Sequence, residues 1–384
     1  MSRFLNASIL HVGNFLAQYH YYVFAYIVSS FLAYYVGVQY VGYIFMASSA
    51  VSALVLYAAP PIFRAFGTRN VLVVLTLLEI TILLGLAITT NWIAAAVLVA
   101  LQGTVAFSIF IGIDLLIEAS IRTERVTGRV RTAFLIVSNL AVLLGALSLT
   151  FVVEGDQYWR AFVTSAIVLL PFLAFALWLF PRVSLPQVVT EDGSVLTQLK
   201  NNKSLRAIVL AHFLLQVFFA WMAIYSPILL FSYEGFSWAE IGTILAIAML
   251  PYIVLEYPLG VIADRWLGEK EILIGGFVII ALSMLAIPLI AGASYWVWVS
   301  LLVISRIGAA AVEAMTEVHF FRHVSERDAA TITVFRTLRP LGNIAGPLVA
   351  SLALLVLPLH ATFALFGVIM LLGIPVARMM IDSK

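Results

Sequence analysis

Residues Gly260-Val-Ile-Ala-Asp264-Arg265-Trp-Leu-Gly268-Glu-Lys270 set four charged side chains between two long apolar runs, 238–263 and 271–291. A bilayer-spanning helix needs about 20 mostly apolar residues, and each run is long enough. A charged knot between two such runs reads as a loop where the chain leaves the membrane and turns back into it. The same alternation extends along all 384 residues, of which 63% are hydrophobic and 10% charged, with a mean hydropathy of +1.09. Soluble domains are about 45–50% apolar and about 25% charged, and a single soluble core cannot hide this much apolar surface. A soluble enzyme and a disordered chain are thereby excluded, and with no cysteine so is a disulfide scaffold. The apolar runs are continuous, which argues against the alternating strands of a β-barrel. The reading is an all-α membrane protein.

Cutting the chain at its polar and Gly/Pro punctuation gives twelve segments: 8–34, 39–63, 70–88, 92–121, 131–153, 158–181, 205–231, 238–263, 271–291, 294–321, 332–357 and 361–380. The longest polar stretch, 182–206, follows the sixth. It predicts a six-helix bundle over 1–181, a linker over 182–204 and a second bundle over 205–384. Placing the N-terminus inside puts 19 of the 21 Lys and Arg residues in cytoplasmic loops, the linker and the termini, leaving Arg160 opposite and Arg306 within a span. By the positive-inside bias both termini are cytoplasmic, and the expected location is the inner membrane of a bacterium. The first span follows Met1-Ser-Arg-Phe with no small-residue cleavage site, so it reads as a retained helix.

The halves repeat. Asn14-Phe-Leu-Ala-Gln18 matches His212-Phe-Leu-Leu-Gln216, and Arg64-Ala-Phe-Gly67-Thr-Arg69 matches Arg265-Trp-Leu-Gly268-Glu-Lys270. Ser120-Ile-Arg122 and Arg131-Thr132 match Ser325-Glu-Arg327 and Arg336-Thr337 in the same order. Parallel repeats of this kind mark transporters with a site near the midplane.

The stretch at 260–270 resembles the loop motif of the major facilitator superfamily, roughly G-x-x-x-D-R-x-G-R-K, which follows the second and eighth helices. The first copy, 59–69, keeps the basic residues and the glycine but has Phe63 in place of the acid. With twelve spans, a six-plus-six repeat and a central linker, the resemblance covers the whole chain and implies two pseudo-symmetric six-helix halves. It also implies a gate: Asp264 bonding a neighbouring helix N-terminus, with Arg265 and Lys270 meeting nearby acids. Glu118 and Arg122, four apart on the fourth helix, form a second candidate gate pair. In the fourth span Gln102-Gly103 is similar to the family's R-x-x-Q-G, with Val99 where the arginine stands. The antiporter pattern G-x-x-x-G-P is missing from the fifth span and appears instead as Gly342-Asn-Ile-Ala-Gly346-Pro347 in the eleventh.

Polar groups inside spans are expensive and therefore candidates for function. His11, Asn14, Gln18, Tyr22 and Ser29 share one face of the first helix, and His212 and Gln216 share one face of the seventh. Asn14, Gln18, Tyr22, His212, Gln216 and Arg306 are the candidate substrate contacts; the alternative for this seam is hydrogen bonding that glues helices. Arg306 lies roughly 18 Å along its helix and Glu313 roughly 10 Å beyond it. At that separation Arg306 needs a partner from another helix or an anionic group on the substrate. His319-x-x-x-His323 has a metal-like spacing, but no carboxylate shares the face, and no metal or other cofactor is expected. Glu79 is set aside because the third helix is peripheral in the resembling family.

The function expected is secondary transport of a small organic solute by alternating access, without an enzymatic step. The partners are that solute, the bilayer and protons, with no nucleic acid, and the protein is taken as a monomer. No Walker motif is present, so the energy comes from an ion gradient. Glu313, Glu317 and Asp114 are the candidate proton carriers. Two alternatives stand beside this one: movement of a lipid-like or amphipathic compound by the same fold, and a membrane receptor that no longer transports.

Overall fold

The computed structural model describes residues 7–120, 124–180, 202–324 and 329–380. Within its helices the side chains of Glu118, Glu256, Asp264 and His323 lie outside the described residues, as do Arg122 and most of the predicted linker. Helices fall on all twelve predicted segments, and among the described residues there is no strand. This is what hydrocarbon demands, since a helix satisfies every backbone donor and acceptor within its own segment.

The first segment is two helices, α1 (Ala7–Ala25) and α2 (Val28–Val36). The second to sixth are α3 (Val38–Phe66), α4 (Thr68–Ile88), α5 (Trp92–Ser120), α6 (Glu124–Val152) and α7 (Trp159–Trp178). The seventh is α8 (Lys203–Ile228), which ends in a π turn, Leu229–Tyr233. Then come α9 (Trp238–Arg265), α10 (Glu269–Ala286), α11 (Tyr295–His323) and α12 (Ala329–Ala353). The twelfth is split into α13 (Leu359–Met370) and α14 (Gly373–Arg378).

Three differences from the sequence reading have different origins. Helix α6 starts at Glu124 rather than near 131, because a helix that closes its own hydrogen bonds need not stop at the edge of the apolar run. The break in the twelfth segment precedes Pro375, which has no N–H to offer the Leu371 carbonyl. The break at Tyr26–Ile27 has neither proline nor glycine beside it, and the residues give no physical reason for it. Between α3 and α4 the turn is one residue, Gly67, at φ +77, its N–H bonded to the Phe63 carbonyl at 3.0 Å. Only glycine takes that conformation without strain, so two spans can meet with almost no loop.

Among the described residues nine helical segments are long and apolar enough to cross a bilayer. The first, fifth and eleventh fall short of that mark, and each carries polar residues that lower its hydropathy: His11, Asn14, Gln18 and His20 in α1, a charged first third in α6, Arg336 and Arg339 in α12. The chain is a multi-pass integral membrane protein.

The chain forms two compact units, one of 1–187 with 237–246, the other of 188–236 with 247–384. In unit 1 the main packing partners are α1 with α6 and α7, α4 with α5 and α7, and α3 with α5. Unit 2 repeats the scheme, pairing α8 with α12, α10 with α13 and α10 with α11. Glycines make the equivalent close approaches. A Cβ on Gly145 of α6 would run into Tyr22 of α1, side chain and backbone, and one on Gly342 of α12 would run into Gln216 of α8. The same pair of helices in each half is thus joined backbone to backbone.

Candidate functional site

In unit 2 the seventh-helix seam forms as a network. His212 Nδ1 lies 3.0 Å from the Thr316 hydroxyl on α11, and Gln216 Nε2 lies 3.0 Å from His212 Nε2. Thr316 spends its one proton on the Glu313 carbonyl, at 3.0 Å. His212 Nδ1 must therefore be the donor to Thr316, and Nε2 accepts from the Gln216 amide. The ring is stacked on Phe335 of α12 at 4.2 Å, and Phe335 on Phe320 at 4.0 Å. His212 and Gln216 are both buried, so the four-residue spacing read from the sequence does bring them together.

Arg306 of α11 is 6% exposed. Its guanidinium stands 5.1 Å over the ring of Phe218 on α8, and its Nε is sealed from solvent with no acceptor. No ion pair or hydrogen bond joins Arg306 to any described residue. Behind it Phe218, Phe366 and Trp221 stack, the last two nearly parallel at 4.5 Å. Among the described residues Arg306 is a buried cation with its head over an aromatic face and no counter-charge, an arrangement that costs free energy unless something compensates it. Of the two carboxylates below it on α11, Glu313 is half-buried and Glu317 is exposed.

Unit 1 uses its seam differently. Asn14 donates to the Ser138 hydroxyl at 2.9 Å and to the Phe134 carbonyl at 3.3 Å, both on α6. Tyr19 meets Ser148 at 2.7 Å, and Tyr22 packs on Gly145 and on the rings of Tyr21 and Tyr26. At Asn14 and Tyr22 the seam expected to face a cavity is turned onto α6, because polar and small residues there accept it. Gln18 is half-buried without a hydrogen bond, and Asp114 on α5 is half-buried without an ion pair among the described residues.

Two groups stand out that the sequence reading missed or set aside. Glu79 of α4 is fully buried, with Gln102 of α5 donating to its Oε1 at 2.9 Å and His20 of α1 beside it. At the N-terminal ends of α8 and α10, Glu269 is buried and pairs with His319 and with Arg322, both from the end of α11. His319 Nε2 in turn meets the Ser204 hydroxyl at 2.8 Å. With both ring nitrogens engaged, His319 has no lone pair to give a metal. Glu269 sits where the family's loop motif has a basic residue, and that reversal was the signal available. Of the expected gate, Arg265 is exposed and Lys270 half-buried, while Asp264, Glu118 and Arg122 lie outside the described side chains.

Residues 226–383 match the family model described as Major Facilitator Superfamily. No curated protein sequence matches the chain. A solved structure described as a bacterial homologue of the human lysosomal transporter Spinster, inward-facing and unoccupied, matches with a TM-score of 0.74 at 13% identity, over 99% of this chain and 98% of that one. At that identity the likeness is one of fold.

Proposed function

We propose that this chain, which has the major facilitator fold along its length and that superfamily's sequence pattern over 226–383, is a secondary transporter for a small organic solute bearing an anionic group. The observation that carries this reading is Arg306. A desolvated cation costs several kcal/mol unless something compensates it, and the described residues supply no counter-charge. An anionic solute would. His212 and Gln216, locked one turn apart on the facing α8, are the neutral contacts proposed beside it, and Gln18 is the candidate of unit 1. Alternating access then moves the solute across the bilayer, with the termini on the cytoplasmic side.

Coupling to protons is assigned to Glu313, two turns from Arg306 on the same face of α11. A proton on Glu313 removes the negative charge nearest Arg306 along the helix and leaves the cation to the solute. Glu313→Gln mimics that state, so it should abolish uptake driven by a proton gradient while preserving counterflow exchange in proteoliposomes. Accumulation by the variant against a gradient would move the coupling site elsewhere.

The test of the reading is a metabolite screen by thermal shift, since a ligand of the folded state raises its midpoint. Organic anions should shift the wild type and leave Arg306→Met unmoved. Equal shifts in both proteins would remove Arg306 from the site. For topology, the absence of native cysteine makes single-cysteine labelling clean: Lys200→Cys and Asp156→Cys should react from opposite sides of a sealed vesicle.

A further inference from the structure

Among the described residues three glutamates approach histidines, and one of the three pairs is built unlike the others. Glu234, just past the π turn of α8, holds His360 Nε2 on one oxygen at 2.6 Å and the Gly292 N–H on the other at 2.8 Å. Glu269 holds His319 on one oxygen and Arg322 on the other. Both pairs sit at helix ends with the carboxylate engaged twice. These are locked structural bridges, short and charge-assisted.

The pair of His20 on α1 and Glu79 on α4 lies mid-helix, and both side chains are 0% exposed. Here Nε2 and Oε1 are 3.6 Å apart, beyond hydrogen-bond range. Gln102 donates to Oε1 at 2.9 Å, while Oε2 and both ring nitrogens of His20 are buried with no partner. Among the described residues no other charged side chain pairs with either of them. Gln102 comes from α5, Phe24 of α1 lies 6.4 Å from the imidazole, and from α7 Ser165 bonds the His20 carbonyl at 2.7 Å. No charged or titratable group of α3, α5, α6 or α7 forms an ion pair or hydrogen bond with either side chain among the described residues.

Neither proton arrangement is met in full. An ionised pair leaves the imidazolium with two N–H groups undonated and the carboxylate with a single donor. A neutral pair leaves the acid hydroxyl without an acceptor in reach. A bridge that only held helices together would close, as the other two do. We propose that His20–Glu79 is a proton-binding site of unit 1, sealed from the medium in this conformation and loaded when another conformation opens it. Gln102 occupies Oε1, so the incoming proton goes to Glu79 Oε2 or to a ring nitrogen of His20, and the pair gains one positive charge; no other bond changes. The site is independent of the solute reading at Arg306.

Infrared difference spectra of the full chain in lipid nanodiscs, taken between about pH 5 and about pH 8, test it. The wild type should show the carbonyl stretch of a protonated carboxyl group appearing at low pH. Glu79→Gln should lose one resolved component of that band, and Glu154→Gln, at an exposed surface acid, should keep it. His20→Gln should alter that component as well, since it removes the ring beside the carboxyl group. Where Glu79→Gln fails to fold, nitrogen-labelled histidine in the wild type gives a second readout, with the His20 signal identified by its loss in His20→Asn. A Glu79 carboxyl and a His20 ring that both keep one protonation state across this range would overturn the proposal.

Discussion

Replacing Arg306 by methionine raises the unfolding midpoint of the empty protein. The residue is 6% exposed, with its Nε sealed and unpartnered. Among the described residues its favourable contact is the face of Phe218, worth about 2 kcal/mol when desolvated, against a burial penalty of several kcal/mol. Methionine keeps the length, fills the gap flexibly and retains a favourable contact with the ring. Exchanging an uncompensated buried charge for an apolar side chain should gain roughly 1–4 kcal/mol, read as a higher midpoint in detergent without ligand. The same variant should lose every anion-dependent shift. Stability and function are then opposed at one position. A lowered midpoint would mean that Arg306 is a structural cation, and the solute reading would lose its main support.

Glu269→Ala should be the most damaging single change at the other polar cluster. It removes the carboxylate shared by His319 and Arg322 at the junction of α8, α10 and α11. Breaking a buried pair costs about 3–5 kcal/mol, but Arg322 is 42% exposed and water takes up part of its charge. A loss of about 2–4 kcal/mol is expected, with Glu269→Gln intermediate because it still offers His319 an acceptor. Glu154→Ala is the matched control. Its partner Arg160 is 38% exposed and Glu154 itself 79%, and such surface pairs contribute about 0–1 kcal/mol. Equal midpoints for Glu269→Ala and Glu154→Ala would show that the cluster carries no weight.

The spans were legible because bilayer thickness sets their length, and spacing along one helix was legible because 3.6 residues make a turn. His212 and Gln216 meet as their separation requires. What a single sequence does not contain is which helix each face is turned toward. Asn14 reads as a member of a polar stripe, yet its partner Ser138 lies 124 residues away and depends on the rotation of α6. Glu79 reads as a stray acid on a peripheral helix, and only the packing of α1, α4 and α5 brings His20 and Gln102 to it. Glu269 was visible as a charge reversal within a loop motif. Nothing in the residues pointed to its two partners, His319 and Arg322.

The two locked glutamates of unit 2 have a mechanical meaning. One ties the start of α8 to α10 and α11; the other ties the end of α8 to the α10–α11 turn and to α13. Cross-braced at both ends, α8, α10 and α11 make a rigid frame. Of the long helices of this unit, α9 and α12 lie outside both braces and carry two prolines each, Pro251 and Pro258 in α9 and Pro340 and Pro347 in α12, whereas α8 has one, Pro227, close to its braced end. Each proline deletes a rung of the helix ladder and lets the axis bend there. Within this unit, then, the frame carries the load and α9 and α12 are its springs.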